Sequence, residues 1–142
     1  HQAMLDGEKS KLTAAVGSMA AALEQLLKAI PDEAGRKALI RQILDPIRFE
    51  DDGSGYFFVY QGAVNIALPP RPELAGRDLA DLTDANGVRY VLELARQAQA
   101  GGGFVSYIFH KPLAGEEHKL SYAMMIPGTP PCSPAWCSPC AA

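Results

Sequence analysis

The stretch GSGYFFVYQG, residues 53–62, decides the fold of this chain. It is a short run rich in aromatic residues that ends in a glycine turn, which predicts a β-strand. Because side chains alternate between the two faces of a strand, Tyr56, Phe58 and Tyr60 share one face. The sequence therefore predicts a sheet face that carries phenol hydroxyls on an otherwise apolar wall, and the question is whether that wall is core or pocket.

The residues on either side of this strand supply the other elements. From residue 9 to residue 30, apolar side chains recur at steps of three and four, which predicts an amphipathic helix close to a coiled-coil seam. Pro31 and Asp32 start a second helix, which Pro46 limits. Further elements are strands over residues 63–68, 104–109 and 119–126 and a helix over residues 88–100.

A long proline-rich loop follows the second strand. Residues 69–87 contain no periodic segment, and loops of this length in a compact domain are typically binding loops or lids. Leu74, Leu79 and Leu82 are its predicted anchors to the core. Helices and strands are segregated along the chain, which indicates an antiparallel α+β domain with the first helix on one sheet face and this loop on the other.

Composition and motifs exclude several classes of function. The chain has 142 residues and a net charge of −3, with no basic stripe, so nucleic acid is not an expected partner. No apolar run approaches the roughly 18 residues that a membrane span needs. No catalytic or nucleotide-binding motif is present, so we expect neither an enzyme nor a cofactor. The first residue is His1, so we expect an excised piece whose membrane anchor lies elsewhere.

Four blocks in order resemble the single-module Cache sensor domains of bacterial chemoreceptors and histidine kinases. They are DGSGYFFVYQG, PELAGRDLADLTDANG, AGGGFVSYIFHKP and HKLSYAMMIPGT, and the resemblance covers about residues 9–129. It implies a long N-terminal helix on a PAS-like antiparallel sheet, and a pocket for a small molecule, often a short organic acid. It also implies a periplasmic location within an inner-membrane protein.

Two features depart from that family. Many relatives carry His-Pro after the second strand, where this chain has Leu68-Pro69. The segment PPCSPAWCSPCAA contains four prolines where the family has one more strand. We therefore divide the chain into a sensor domain over residues 1–129 and an atypical tail over residues 130–142, and we expect the sheet to lack its last strand.

Several tyrosines on strands of one sheet suit a pocket better than a dry core, because each hydroxyl needs a hydrogen-bond partner. A carboxylate ligand also needs a cation or several donors. Tyr122 is opposite in phase to Lys119, so a register shift of one residue would move it to the other face. The predicted ligand-binding residues are Tyr56, Tyr60, Tyr107, Tyr122, Lys119 and Arg48.

Other reactive side chains carry weaker signals. His110 and His118 flank a predicted turn, but no third metal ligand is evident, so no metal site is predicted. Cys137 and Cys140 have the CxxC spacing without the strand-to-helix setting of a redox motif.

The sequence thus favours a ligand-binding sensor domain of a transmembrane signalling protein, with a short-chain carboxylate as ligand and a homodimer formed through the first helix. A free periplasmic binding module, or a dimerisation module with a vestigial pocket, remains an alternative.

Overall fold

The computed structural model describes residues 2–49, 53, 55–111, 115–127 and 135–141. A short 3-10 turn over Pro72–Leu74 lies in the long loop. The helices and strands of the described residues are α1 (Gln2–Lys28), α2 (Glu33–Leu44), β1 (Tyr56–Gln61), β2 (Val64–Ala67), α3 (Tyr90–Gln99), β3 (Gly103–Lys111), β4 (Gly115–Met125) and β5 (Ala135–Ala141).

The strands form one five-stranded antiparallel sheet in the order β2-β1-β5-β4-β3. β5 therefore lies in the middle, and it pairs with β1 on one side and β4 on the other. The α+β class with a PAS-like sheet is confirmed. The expectation that the sheet lacks its last strand is wrong.

The position of the prolines explains this correction. Pro130, Pro131 and Pro134 all precede β5, and only Pro139 lies inside the strand. The register between β4 and β5 joins Ser121 to Cys140 and then Met124 to Cys137, and it skips Pro139. A residue without a backbone N–H fits where the ladder is interrupted, so one proline does not prevent the strand.

The two sheet faces carry different cores. α1 packs on β4 and β5, and α2 packs on β1 and β2. We call this core the helix-side core; its buried members are Val16, Leu23, Ile40, Leu44, Phe57, Val59, Ile66, Ala67 and Ile126. α3 packs on β3 and β4 over the opposite face. We call that core the lid-side core; it includes Tyr56, Phe58, Tyr60, Leu68, Leu79, Val91, Leu94, Val105 and Tyr107.

The apolar stripe of α1 is buried along most of its length. Leu12, Val16 and Leu23 are fully buried, whereas Leu26 near the end of the helix is 45% exposed. The chain then turns into α2, whose N-cap Asp32 accepts a hydrogen bond from the backbone N–H of Gly35 at 2.7 Å. The first two predicted helices are therefore present, and the first begins earlier than its periodicity indicated.

We call residues 69–87 the lid. Its backbone pairs with β2: the Asn65 N–H donates to the Arg77 carbonyl at 2.9 Å, and the Gly76 N–H donates to the Asn65 carbonyl at 2.7 Å. Leu79 is buried in the lid-side core and Leu74 packs against it, as predicted. Leu82 is 37% exposed, so its predicted role as an anchor is wrong. The lid leaves β2 and runs over the tyrosine-bearing face.

Candidate functional site

A buried lysine lies on the lid-side face of the sheet. Lys119 on β4 is 2% exposed, and its Nζ lies 5.2 Å from the centre of the Tyr56 ring. Lys119 pairs directly with Tyr107 on β3, so the two side chains share this face. The Tyr107 hydroxyl lies 2.9 Å from Ser121 Oγ, and both residues are buried. A buried ammonium group over a tyrosine ring, on the same sheet face as tyrosine and serine hydroxyls, has the chemistry that holds a carboxylate.

Tyr60 lies on the same face but further along β1. It is buried, and its ring makes an edge contact with Phe58 at 5.6 Å between centroids. Tyr60 is four positions along the strand from Tyr56, which corresponds to about 13 Å. A small ligand held at Lys119 would therefore contact Tyr56 rather than Tyr60. We assign Tyr60 to the wall of this face and not to the immediate cluster.

Tyr90, at the start of α3, lies on the lid-facing side of the cluster. Its ring is stacked on that of Tyr107, with centroids 4.4 Å apart and an interplanar angle of 3°. Tyr90 also lines an outer cleft of about 350 Å³. Arginine and acidic side chains share that lining, including Arg77 and Glu116. The outer cleft is therefore separated from Tyr107 by the Tyr90 ring.

The structure does not bring Arg48 or Tyr122 to this cluster. Arg48 is exposed, and its guanidinium donates to the carbonyls of Asp45 and Ile47, which fixes it at the end of α2. Tyr122 packs against the helix-side core, on the opposite face of β4 from Lys119. The strand is regular there, so residues an odd number of positions apart point to opposite faces. We leave both residues out of the site.

Asp84 joins the end of the lid to β3. Its Oδ1 accepts hydrogen bonds from the backbone N–H groups of Asn86 and Val88, both at 2.9 Å. Its Oδ2 accepts from the Ile108 N–H at 3.0 Å. Burial raises the pKa of Asp84, but the hydrogen bonds from Ile108, Val88 and Asn86 outweigh it, so the pKa lies below its ordinary value.

Three contacts of this region were missed from the sequence. Ser121 lies two residues after Lys119, so the two-residue period of a strand puts it on the same face. That period could have identified Ser121 as a site residue. The stacking of Tyr90 on Tyr107 and the bond from Ile108 to Asp84 join residues far apart in the chain. No local pattern predicts such contacts.

The weaker candidates gain no support from the structure. The His110 side chain and all of Cys132 lie outside the described residues, and His118 is exposed. Across the described ranges, no three His, Cys, Asp or Glu side chains are grouped so that they could hold a metal ion. Cys137 and Cys140 lie in β5, where their backbones pair with β1 and β4.

Among the described residues, no helix combines the length and apolar character that crossing a bilayer requires.

Comparison with known proteins gives consistent matches. The sequence model of the Single Cache domain 2 family matches residues 3–129. The sensor histidine kinase MctS of Rhizobium johnstonii is 36% identical over 101 residues, 70% of this chain. The chain spans only 22% of the length of that curated relative.

Two solved structures share the whole fold. A methyl-accepting chemotaxis protein from Vibrio parahaemolyticus superposes with a TM-score of 0.80 at 29% identity, covering 97% of this chain and 90% of that one. A Cache chemosensory domain described for carboxylic acid recognition also has a TM-score of 0.80, at 21% identity, covering 99% and 97% of the two chains. At that identity the second match shows the fold alone.

The antiparallel sheet, the long first helix and the lid over a polar cluster define a sensor domain of the PAS-like class. The chain belongs to the Single Cache domain 2 family. Members are extracytoplasmic ligand-binding sensor domains of membrane-bound chemoreceptors and histidine kinases, a signalling module and not a catalytic one. The predicted family and location are thereby confirmed.

Proposed function

We propose that this chain senses a short-chain monocarboxylate, which binds between the sheet and the lid with its carboxylate at Lys119. The observation that carries the proposal is the burial of Lys119 beside Tyr56, Tyr107 and Ser121. The two phenols and the serine supply hydroxyls, and the ammonium group supplies the charge. The solved Cache domain described for carboxylic acid recognition has the same fold, which makes this ligand class a natural first choice.

The rest of the face favours a ligand with an apolar body. Phe58, Leu68 and Leu79 are buried in the lid-side core. The walls thus offer apolar contact next to the ammonium group of Lys119, and small-molecule pockets commonly combine the two. We expect acetate, propionate, lactate or pyruvate to bind better than dicarboxylates or amines.

Signal transfer is proposed to run through β4. Lys119 and Ser121 face the lid, whereas Tyr122 and Met124 on the same strand pack against the helix-side core. α1 packs on this strand and on β5. We suppose two conformations of the domain that differ in the positions of β4 and α1. A ligand that binds one of them more tightly would favour it and so shift α1, because a ligand shifts an equilibrium only when its affinities for the two conformations differ.

The whole protein is proposed to be a transmembrane chemoreceptor or sensor kinase that dimerises through α1. Leu26 on that helix is 45% exposed, which leaves an apolar side chain available for a second copy. Sedimentation of the purified domain with and without ligand measures the association, and a monomer at all concentrations would argue against this part of the proposal.

The binding proposal is tested by thermal shift and calorimetry with the four acids, comparing Lys119→Met with Lys28→Met. A ligand at about 100 times its Kd should stabilise the wild-type protein by about 2.7 kcal/mol. Lys119→Met keeps an unbranched apolar side chain, one atom shorter than lysine, while removing the charge, so the variant should fold and lose binding. Lys28 is exposed beside Glu24, so its replacement should leave binding unchanged. Equal affinity in both variants would exclude Lys119.

A further inference from the structure

The lid is tied to both outer strands of the sheet. Backbone hydrogen bonds of Asn65 with Gly76 and Arg77 hold its first half against β2. The hydrogen bond from the Ile108 N–H to Asp84 Oδ2 holds its far end against β3. β2 and β3 are the first and last strands in the sheet order. The lid therefore reaches from one outer strand to the other on the face that carries Lys119.

The two attachments differ in kind. The attachment to β2 is a set of backbone bonds that continues the sheet. The attachment to β3 includes a bond to a single carboxylate, that of Asp84, across 24 residues of sequence. Hydrogen bonds to an ionised group are stronger than neutral ones, so this contact contributes more than an ordinary loop hydrogen bond.

The contact with β3 lies next to the candidate site. Ile108 follows Tyr107, whose hydroxyl contacts Ser121 and whose ring is covered by Tyr90. Lys119, Tyr107 and Ser121 are all buried in this structure, so a ligand can enter or leave only when part of their cover moves.

We propose that Asp84 is a positioning residue that keeps the lid closed, and that its bond to Ile108 sets the rate at which bound ligand escapes. The inference rests on the proposed function, because it takes the cluster at Lys119 as the binding site. It assigns to Asp84 no contact with the ligand. Loss of the bond should increase the dissociation rate more than it changes the association rate, as is usual when closure retains a ligand.

Asp84→Asn isolates this bond. The single carbonyl oxygen of the new side chain can still accept from Asn86 and Val88, which preserves the local turn. The amide nitrogen that replaces the other oxygen cannot accept a hydrogen bond from Ile108. Asp78→Asn is the matched control: Asp78 is an exposed lid carboxylate whose Oδ1 accepts from the Ala80 N–H within the lid. Both variants lose one negative charge.

The experiment measures ligand dissociation by stopped flow and amide hydrogen exchange across the lid. Asp84→Asn should release ligand about 10 to 100 times faster and speed exchange at Ile108 and the lid, while Asp78→Asn matches the wild type. Equal dissociation rates in the two variants would overturn the inference and leave the proposed function intact. If the wild type binds none of the acids, the proposed function fails. In that case the exchange measurement on ligand-free protein still tests Asp84. If amide exchange in the lid is equally fast in Asp84→Asn and the wild type, Asp84 does not hold the lid closed.

Discussion

The rings of Tyr90 and Tyr107 lie parallel, 4.4 Å apart between centroids, and this stack joins the first turn of α3 to the floor of the candidate site. Tyr107 is buried and hydrogen-bonded to Ser121, and these contacts hold its ring in place. Tyr90 is half-buried and also lines the outer cleft. The Tyr90 ring thus lies between the outer cleft and Tyr107.

Replacing Tyr90 tests this arrangement. Tyr90→Ala should lower the free energy of unfolding by about 2 kcal/mol, because it removes the stacked ring and its buried area. It should also speed ligand association, because the ring no longer covers Tyr107. Tyr90→Phe keeps the stacked ring, so ligand should associate with it at the wild-type rate. Equal association rates in all three proteins would show that ligand does not enter past Tyr90.

Asp84 should make stability depend on acid pH. Its folded pKa lies below the ordinary value of 3.8, because the hydrogen bonds from Ile108, Val88 and Asn86 outweigh the effect of burial. A carboxyl of this kind stabilises the fold above its unfolded pKa and loses that contribution as pH falls through the folded value.

Urea unfolding at a series of pH values measures this contribution. The wild type should be more stable than Asp84→Asn near neutral pH, and the difference should narrow as pH falls below 3.8. If the difference in unfolding free energy between the two proteins stayed constant across the whole series, the negative charge of Asp84 would make no contribution to stability.

A charged side chain in place of Asn65 should destabilise the fold. The side chain is fully buried, its Nδ2 donates to the Ala67 carbonyl at 3.3 Å, and its Oδ1 has no hydrogen-bond partner among the described residues. Asn65→Asp should reduce the unfolding free energy by about 3 kcal/mol or more at neutral pH, because it buries an uncompensated carboxylate. Asn86→Asp, at an exposed lid position, should change it by at most about 0.5 kcal/mol. Equal effects by urea unfolding would contradict the burial of Asn65.

β5 should be required for cooperative folding. β1 and β4 each pair with β5 and not with each other, so the sheet without β5 is two separate hairpins. A chain shortened to residues 1–129 should therefore lack a cooperative thermal transition by circular dichroism, whereas the full chain shows one. A shortened chain with an unchanged transition would support our sequence-based division at residue 129.

Much of the lid-side face was predictable from a two-residue period. Tyr56, Phe58 and Tyr60 share the lid-side core, and Phe57 and Val59 share the helix-side core, as the alternation indicated. The pattern succeeds because both faces of β1 are buried, so its register is strongly specified.

The failures have equally local causes. Tyr122 was grouped with Lys119 although an odd spacing separates them, and a regular strand puts such residues on opposite faces. β5 was rejected for its prolines, yet a central strand gains hydrogen bonds from two neighbours, which outweighs one missing N–H at Pro139. The β-propensity of a segment is assessed from that segment alone, so it does not include hydrogen bonds to neighbouring strands.

The path of the lid from β2 to β3 also bears on association between copies of the domain. Outer strands present backbone groups that can pair with another molecule, and proteins reduce that risk by covering them. Here the lid backbone occupies part of the β2 edge, and Asp84 occupies the Ile108 N–H of β3. An open lid would therefore uncover pairing groups at both sides of the sheet at once. Residues that retain a ligand would then also protect the folded domain from aggregation.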